Sequence, residues 1–235
     1  MKSNFLYKKK ILVIAAHPDD EMLGVGGTIH NSVLSQNAIA HALILSKGIF
    51  SRVSSENDKN LIRQKKNIVK ATSIIGFKNV VALDFPDNRL DSVDLLDIVR
   101  PIESVIAKYN PDVIFTHHSM DLNIDHRKTH QAVVTATRPV PGMKPICLFS
   151  FETPSSTEWQ TNDSDKAFLP NFFIEINKND LIAKQKALKA YTTECREYPH
   201  PRSQKSLEII SKRWGLNVGV KYAEAFRLIR HIEKL

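Results

Sequence analysis

Residues 11–16, Ile-Leu-Val-Ile-Ala-Ala, form an uncharged run that stops abruptly at His17-Pro18-Asp19-Asp20-Glu21. Six apolar residues ended in this way read as a strand buried on both faces, the kind found inside a parallel sheet. Parallel strands need crossover connections, usually helical, so this one segment already points to an α/β chain. It also sets a histidine and three acids beyond the carboxyl end of a strand, where open α/β sheets collect ligands. Pro18 fixes its own φ and biases His17 toward extended geometry, so the turn can aim His17 and Asp20 at one point while Asp19 projects separately. Imidazole plus carboxylate suits a divalent cation, and a bound ion would offset the repulsion between the adjacent acids. The competing reading of the spacing alone is a strand end followed by a solvated acidic turn.

A second stretch repeats the arrangement. Residues 111–118, Pro-Asp-Val-Ile-Phe-Thr-His-His, form another apolar strand ending in histidines, with Asp121-Leu122-Asn123-Ile124-Asp125-His126-Arg127 directly after it. Two strands thus deliver His and Asp to the same edge of a sheet. The two motifs together resemble the PIG-L/LmbE-like family of metal-dependent de-N-acetylases, which act on N-acetylated sugars and glycoconjugates. The similarity extends to Phe85-Pro86-Asp87-Asn88-Arg89, Tyr198-Pro199-His200-Pro201-Arg202-Ser203 and Tyr222-Ala223-Glu224-Ala225-Phe226.

Length and composition set the frame. A chain of 235 residues suits one domain, 1–235, with a substantial core, and no linker, repeat or low-complexity segment divides it. The net charge of +8 suits an anionic partner, such as a phosphorylated or nucleotide-bearing substrate. Nucleic acid is disfavoured because no aromatic residues alternate with the basic ones to stack bases. Cys147 and Cys195 are too far apart for metal-ligand spacing and do not make a disulfide framework, so a reducing cytoplasm is expected. No segment approaches the ~18 apolar residues of a membrane span, and no export signal is read at the amino terminus.

The chain beyond the first motif alternates strands and helices. Strands are expected at 38–45, 80–83, 112–116, 146–151 and 172–176. Helices are expected after Gly24-Val25-Gly26-Gly27-Thr28, over 61–75, 93–109, from Asp125, from Asn179-Asp180 to Tyr191, and over 205–214. Gly215–Gly219 reads as a turn, and Tyr222–Ile229 as strand or helix. Lys47–Asn60 is polar and irregular, either a flap over the site or an ordinary loop. The alternation implies a Rossmann-like three-layer sandwich with a mostly parallel sheet, and the family resemblance implies the same.

The resemblance and the donor chemistry give His17, Asp20 and His126 as the metal ligands, with water at an open position. His130, four residues after His126, is left out. Zinc is the expected ion, although the same donors accept iron(II). Asp19, beside a ligand but directed elsewhere, is the expected general base, and Glu21 helps fix the turn. In the best-known form of the family the second motif resembles HPDH, and its first His is assigned to oxyanion stabilisation. Asn123 stands there in this chain, and an amide can donate a hydrogen bond but cannot return a proton. His200 or His118 is therefore the candidate for the electrophilic role. Asp125 is expected to orient a ligand or cap the helix. Asp87, Asn88, Arg89, Asn123 and Arg127 are the candidate substrate contacts, Arg89 because its guanidinium can fork onto a phosphate or carboxylate.

The implied activity is removal of the N-acetyl group from an N-acetylamino sugar or glycoconjugate by metal-activated water. A non-catalytic sugar- or nucleotide-binding protein that keeps a structural metal site is the alternative. Oligomeric state is not readable from the chain, though some members of the family form multimers.

Overall fold

The computed structural model describes residues 4–47, 57–161, 163 and 165–232. The first strand, β1 (Lys10–Ala15), is buried from its second residue onward. It is followed by α1 (Asp20–Gln36), β2 (Ile39–Ser46), α2 (Asn57–Ile75), β3 (Asn79–Phe85), α3 (Leu95–Tyr109), β4 (Val113–His117) and α4 (Ile124–Ala136). Then come β5 (Cys147–Phe151), β6 (Phe172–Glu175), α5 (Lys178–Ala190), α6 (Gln204–Val218) and β7 (Ala223–Arg230). Most of the expected flap, residues 48–56, lies outside the described residues, and its last residues already belong to α2.

All seven strands join one sheet in the order β3-β2-β1-β4-β5-β7-β6. The first five in that order run parallel, and β7 lies antiparallel to both of its neighbours. The sheet is therefore mostly parallel, with helices on both faces. Alternation along β1 shows the layering. Ile11 and Val13 pack with Met22, Val25 and Ile29 of α1, Ile68, Ala71 and Ile75 of α2, and Ala183 and Ala187 of α5. Leu12 and Ile14 face the other way, toward Ile98, Val99 and Ile102 of α3 and Ala132 and Val133 of α4. Full burial of each such side chain contributes about 1.5–3 kcal/mol, so a one-residue slip of β1 would reverse both faces at once.

Two places in the last third differ from expectation. The segment after Tyr222 is strand β7, and α6 runs through Gly215 to end at Gly219, whose φ is 73°. Gly215 lies inside the helix, and no side chain fits there because a Cβ would stand 2.5 Å from the carbonyl oxygen of Val220. The returning chain occupies that space. Strand β7 is tied to α5 by a buried charge pair and to α1 by two backbone amides. Glu224 accepts from the Lys184 ammonium of α5 and from the N–H groups of Gly27 (3.0 Å) and Thr28 (2.7 Å).

Among the described residues no helix is long and apolar enough to cross a membrane.

Candidate active site

Strand order reverses between β1 and β4: the connection from β1 leads to β2 on one side, whereas β4 lies on the other. Their carboxyl ends open the crevice in which α/β sheets bind ligands. His17 follows β1 there, Asp20 opens α1, and His126 lies in the first turn of α4.

These three side chains converge. His17 Nδ1 lies 3.3 Å and His126 Nε2 3.2 Å from the same oxygen, Asp20 Oδ2. One donor atom from each residue falls within 4.8 Å of the other two. For a tetrahedral ion with bonds of about 2.0–2.1 Å, ligand atoms stand roughly 3.3–3.4 Å apart, which matches both separations. The far nitrogen of each imidazole is held by a carboxylate. His17 Nε2 meets Asp125 Oδ2 at 2.9 Å and Asp87 Oδ1 at 3.3 Å, and His126 Nδ1 meets Asp121 Oδ1 at 2.9 Å. With those nitrogens donating, Nδ1 of His17 and Nε2 of His126 keep lone pairs facing Asp20, the carboxylate–histidine arrangement of metal sites. Asp125 is itself anchored by the Leu90 N–H at 2.9 Å. Asp121 accepts from the hydroxyls of Ser156 and Thr157 and from the Asn123 N–H.

The cluster fits a divalent cation on two further grounds. Asp20 Oδ1 and His126 Nε2 are buried without a hydrogen-bond partner, a costly state for polar atoms unless something coordinates them. His126 Nε2 is close to Asp20 but off the hydrogen-bond line. The carboxylates also demand positive charge. Burial opposes protonation of His17, yet Asp125, Asp20 and Asp87 raise its pKa to about 10. For His126, Asp20 and Asp121 likewise outweigh burial and raise it to about 9. Burial pushes Asp20 up as well, but His126 and the other imidazoles hold it well below the usual carboxylate range. A metal would take the place of those imidazole protons.

Asp19 stands apart from this set, as its sequence position implies. Its φ is 100°, a strained setting for a residue with a Cβ, of the kind that collects at functional sites. The backbone there is held by Glu21, whose Oε2 accepts the Asp19 N–H at 3.0 Å while Oε1 accepts from the Tyr191 hydroxyl. Burial raises Glu21 to about 7. The Asp19 carboxylate is buried and its Oδ2 accepts from Arg202 Nη1 at 3.0 Å. The same Nη1 donates to Glu194 Oε2 at 3.0 Å, and Arg202 Nε donates to Ser155 Oγ at 2.7 Å. Burial pushes the Asp19 carboxyl well above its ordinary range; Arg202 opposes this, while Asp20, Glu194 and Glu21 add to it.

Several expected residues lie elsewhere. The loop carrying Pro199-His200-Pro201 does reach the site, but it delivers Arg202. His200 Nδ1 accepts the Arg202 N–H at 3.1 Å and its ring sits edge-on to Trp159. His118 turns away, with Nε2 on the Lys166 carbonyl at 3.0 Å and its ring against Phe168. Its neighbour His117 enters the cluster instead, stacked 3.9 Å from His126. His117 Nε2 accepts the Ala16 N–H at 2.9 Å and Nδ1 meets Thr153 Oγ1 at 3.0 Å. It is therefore a neutral prop with no lone pair left for an ion, and burial holds its pKa well below the usual value. Asn123, rather than Asp125, caps α4: its Oδ1 accepts the Asp125 N–H at 2.8 Å, and its Nδ2 donates to Asn88 Oδ1 at 3.0 Å. Arg127 folds its guanidinium onto the carbonyls of Asp121 and Leu122. Asp87 is buried against His17, whereas Asn88 and Arg89 are exposed. Asp121, His117 and Arg202 were not singled out from sequence; the signal was there for Asp121, a carboxylate five residues before a ligand histidine.

With this geometry in hand, the chain can be set beside known proteins. A family model described as PIG-L, GlcNAc-PI de-N-acetylase, matches residues 12–137, more than half of the chain. The chain belongs to the PIG-L family. Among curated relatives, it is 29% identical over 189 residues to the uncharacterized deacetylase YaiS of Escherichia coli K12, covering 78% of this chain and 91% of that protein. It is 25% identical over 228 residues to the diacetylchitobiose deacetylase of Thermococcus kodakarensis, covering 94% and 83%. Among solved structures, the N,N'-diacetylchitobiose deacetylase of Pyrococcus horikoshii has the same fold, with a TM-score of 0.73 at 19% identity over 94% of this chain and 84% of that one. So does the 4-carboxy-2-hydroxymuconate hydratase GalB of Pseudomonas putida, with a TM-score of 0.69 at 18% identity over 97% and 99%. Fold alone therefore does not select the reaction.

Proposed function

We propose that this PIG-L family member is a cation-dependent hydrolase that removes the N-acetyl group from an N-acetylamino sugar or glycoconjugate. The observation that carries the reading is the convergence of His17 Nδ1, Asp20 Oδ2 and His126 Nε2 beside a fourth residue, Asp19, that is not part of the set. The activities named for the relatives support it. A purely structural cation site has no use for a strained, buried carboxylate held next to it by an arginine.

His17, Asp20 and His126 would hold the ion, with zinc as the first choice and iron(II) as the second. When bound, the ion supplies Lewis acidity, polarising the amide carbonyl and lowering the pKa of a water from about 15.7 toward about 7. Asp19 takes a proton from the attacking water as the new C–O bond forms at the acetyl carbon. It then returns that proton to the sugar nitrogen as the C–N bond breaks, giving acetic acid and the free amine, which ionise in water to acetate and ammonium. Its position in a water-poor pocket makes it a better base than an exposed aspartate. Arg202 acts through Asp19, as a positioning residue that also ties down Glu194 and Ser155. Asp125, Asp121 and His117 fix the ligand rings. Arg89 and Asn88, exposed just beyond the end of β3, would contact the substrate, and Arg89 suits a phosphorylated or nucleotide-bearing one.

The test joins metal analysis of the purified protein to an acetate-release screen across N-acetylated monosaccharides, chitooligosaccharides and sugar nucleotides. Acetate release that stops on chelation and returns with zinc or iron(II) is expected, together with loss of metal from His126→Ala. A metal-replete protein that releases no acetate from any of these would overturn the reading.

A further inference from the structure

Trp159 is 54% exposed, while the only other tryptophan, Trp214, is 4% exposed and packs against Ala223 and Ala225. A single exposed apolar side chain needs no explanation on its own, but the setting of this one is unusual. It ends the short 3-10 turn Thr157–Trp159. Just before it, the hydroxyls of Ser156 and Thr157 donate to Asp121, the carboxylate that orients His126. One residue earlier, Ser155 Oγ accepts from Arg202, which also holds Asp19. Glu158 closes the turn by accepting the N–H groups of Ser155 (2.6 Å) and Ser156 (3.2 Å). His200 meets the indole edge-on, its centroid 5.8 Å away with the planes 82° apart.

The indole is thus presented to solvent from a turn bonded both to the residue that steers a candidate ligand and to the residue that steers the candidate base. Two residues of chain span at most about 7 Å, so Trp159 lies within that reach of Thr157, which holds Asp121, and it meets His200, two residues from the Arg202 that holds Asp19. A flat, rigid, water-exposed ring in that position is matched by the C–H-rich face of a pyranose, which offers C–H···π contacts and apolar area while its hydroxyls remain solvated. A phosphate or nucleotide charge would gain little from this ring; Arg89 is the side chain suited to it.

We propose that Trp159, propped by His200, is a stacking platform for a pyranose ring of the substrate, and hence a specificity-determining residue that favours saccharides over other acetamides. The inference rests on the deacetylase reading above and sharpens its substrate class. Covering one face of the indole is expected to change affinity by about tenfold.

Two measurements test it. In the first, iodide quenching of tryptophan fluorescence is followed in Asp19→Asn protein, an exchange that suits the positive φ, with N,N'-diacetylchitobiose as the probe. Iodide reaches Trp159 and not the buried Trp214, so saturating sugar should cut the quenching by at least about half, whereas N-methylacetamide should leave it unchanged. In the second, Trp159→Ala should raise KM for the disaccharide about tenfold, with kcat within about threefold, and Trp159→Phe should recover most of the loss. Parent-like KM in Trp159→Ala, or iodide quenching that the sugar does not alter, overturns the platform even if acetate is released normally. Failure of the parent protein to release acetate bears on the deacetylase reading instead, and the quenching experiment still decides the platform.

Discussion

Replacing Asn123 separates two roles that sequence reasoning could not. As the N-cap of α4, Asn123 spends Oδ1 on the Asp125 N–H at 2.8 Å and Nδ2 on Asn88 Oδ1 at 3.0 Å. An oxyanion donor would have to be the second N–H of that same Nδ2, whose direction the cap and Asn88 already fix. Losing a side-chain N-cap costs about 0.5–2 kcal/mol, and each kcal/mol lowers Tm by about 2–4 °C in a chain of this size. Losing an oxyanion donor costs about 10²–10³ in kcat. Asn123→Ala should therefore lower Tm by about 2–4 °C and leave kcat within about tenfold of the parent. Asn123→Asp keeps the cap acceptor and removes the donor, so its Tm should stay within about 2 °C and its kcat again within about tenfold. Calorimetry and acetate-release kinetics on the same preparations give both numbers. A kcat lower by a hundredfold or more in Asn123→Asp, at unchanged Tm and metal content, would refute the capping argument and make Asn123 the donor.

Three further outcomes follow from other parts of the structure. Arg202→Ala leaves the buried Asp19 carboxylate without its guanidinium and should lower kcat by about a hundredfold with metal content intact; Arg202→Lys should recover only part, because one ammonium cannot reach Asp19, Glu194 and Ser155 together. Gly24→Ala would place a Cβ 2.2 Å from the Phe151 ring, an overpacking that should cost about 1–3 kcal/mol in denaturant unfolding. Burial raises the Asp112 carboxyl, but Lys144 and the Lys10 N–H more than offset it, and its folded pKa is lowered. Its contribution is then present above the unfolded pKa of about 3.9 and is lost as pH falls through the folded value; the Tm deficit of Asp112→Asn should shrink as the pH drops below about 4.

The frame was readable because β1 and β4 are apolar runs that end in His and Asp, and those ends coincide with the point where strand order reverses. The choice between His117 and His118 was not. Both flank the end of a strand whose two faces are buried, so polarity gives no parity, and only pairing in the folded sheet shows that His117 faces His126. Asn123 in place of a histidine directs attention to an imidazole such as His200, whereas three acids on one turn call equally for a cation such as Arg202. Periodicity could not tell strand from helix at β7, since its first half, Ala-Glu-Ala-Phe, is buried on both faces and its one charged residue, Glu224, points inward to a partner. The glycine inside α6 reads as a stop in the sequence because the approach of Val220 is a tertiary fact.

The buried Lys184–Glu224 pair couples α5 and β7 to the middle of α1, the helix that Asp20 opens. Glu224 sits on the final strand, yet it receives amides from the middle of the first helix and the ammonium of α5. During synthesis the helix behind the His-Pro-Asp-Asp turn lacks this carboxylate until β7, roughly 200 residues further along the chain, has also emerged. A polypeptide cut short before residue 224 would bury Lys184 against α1 with no counter-charge, at a cost of several kcal/mol. Helix α1 therefore gains its full set of native contacts only when the much later strand has docked.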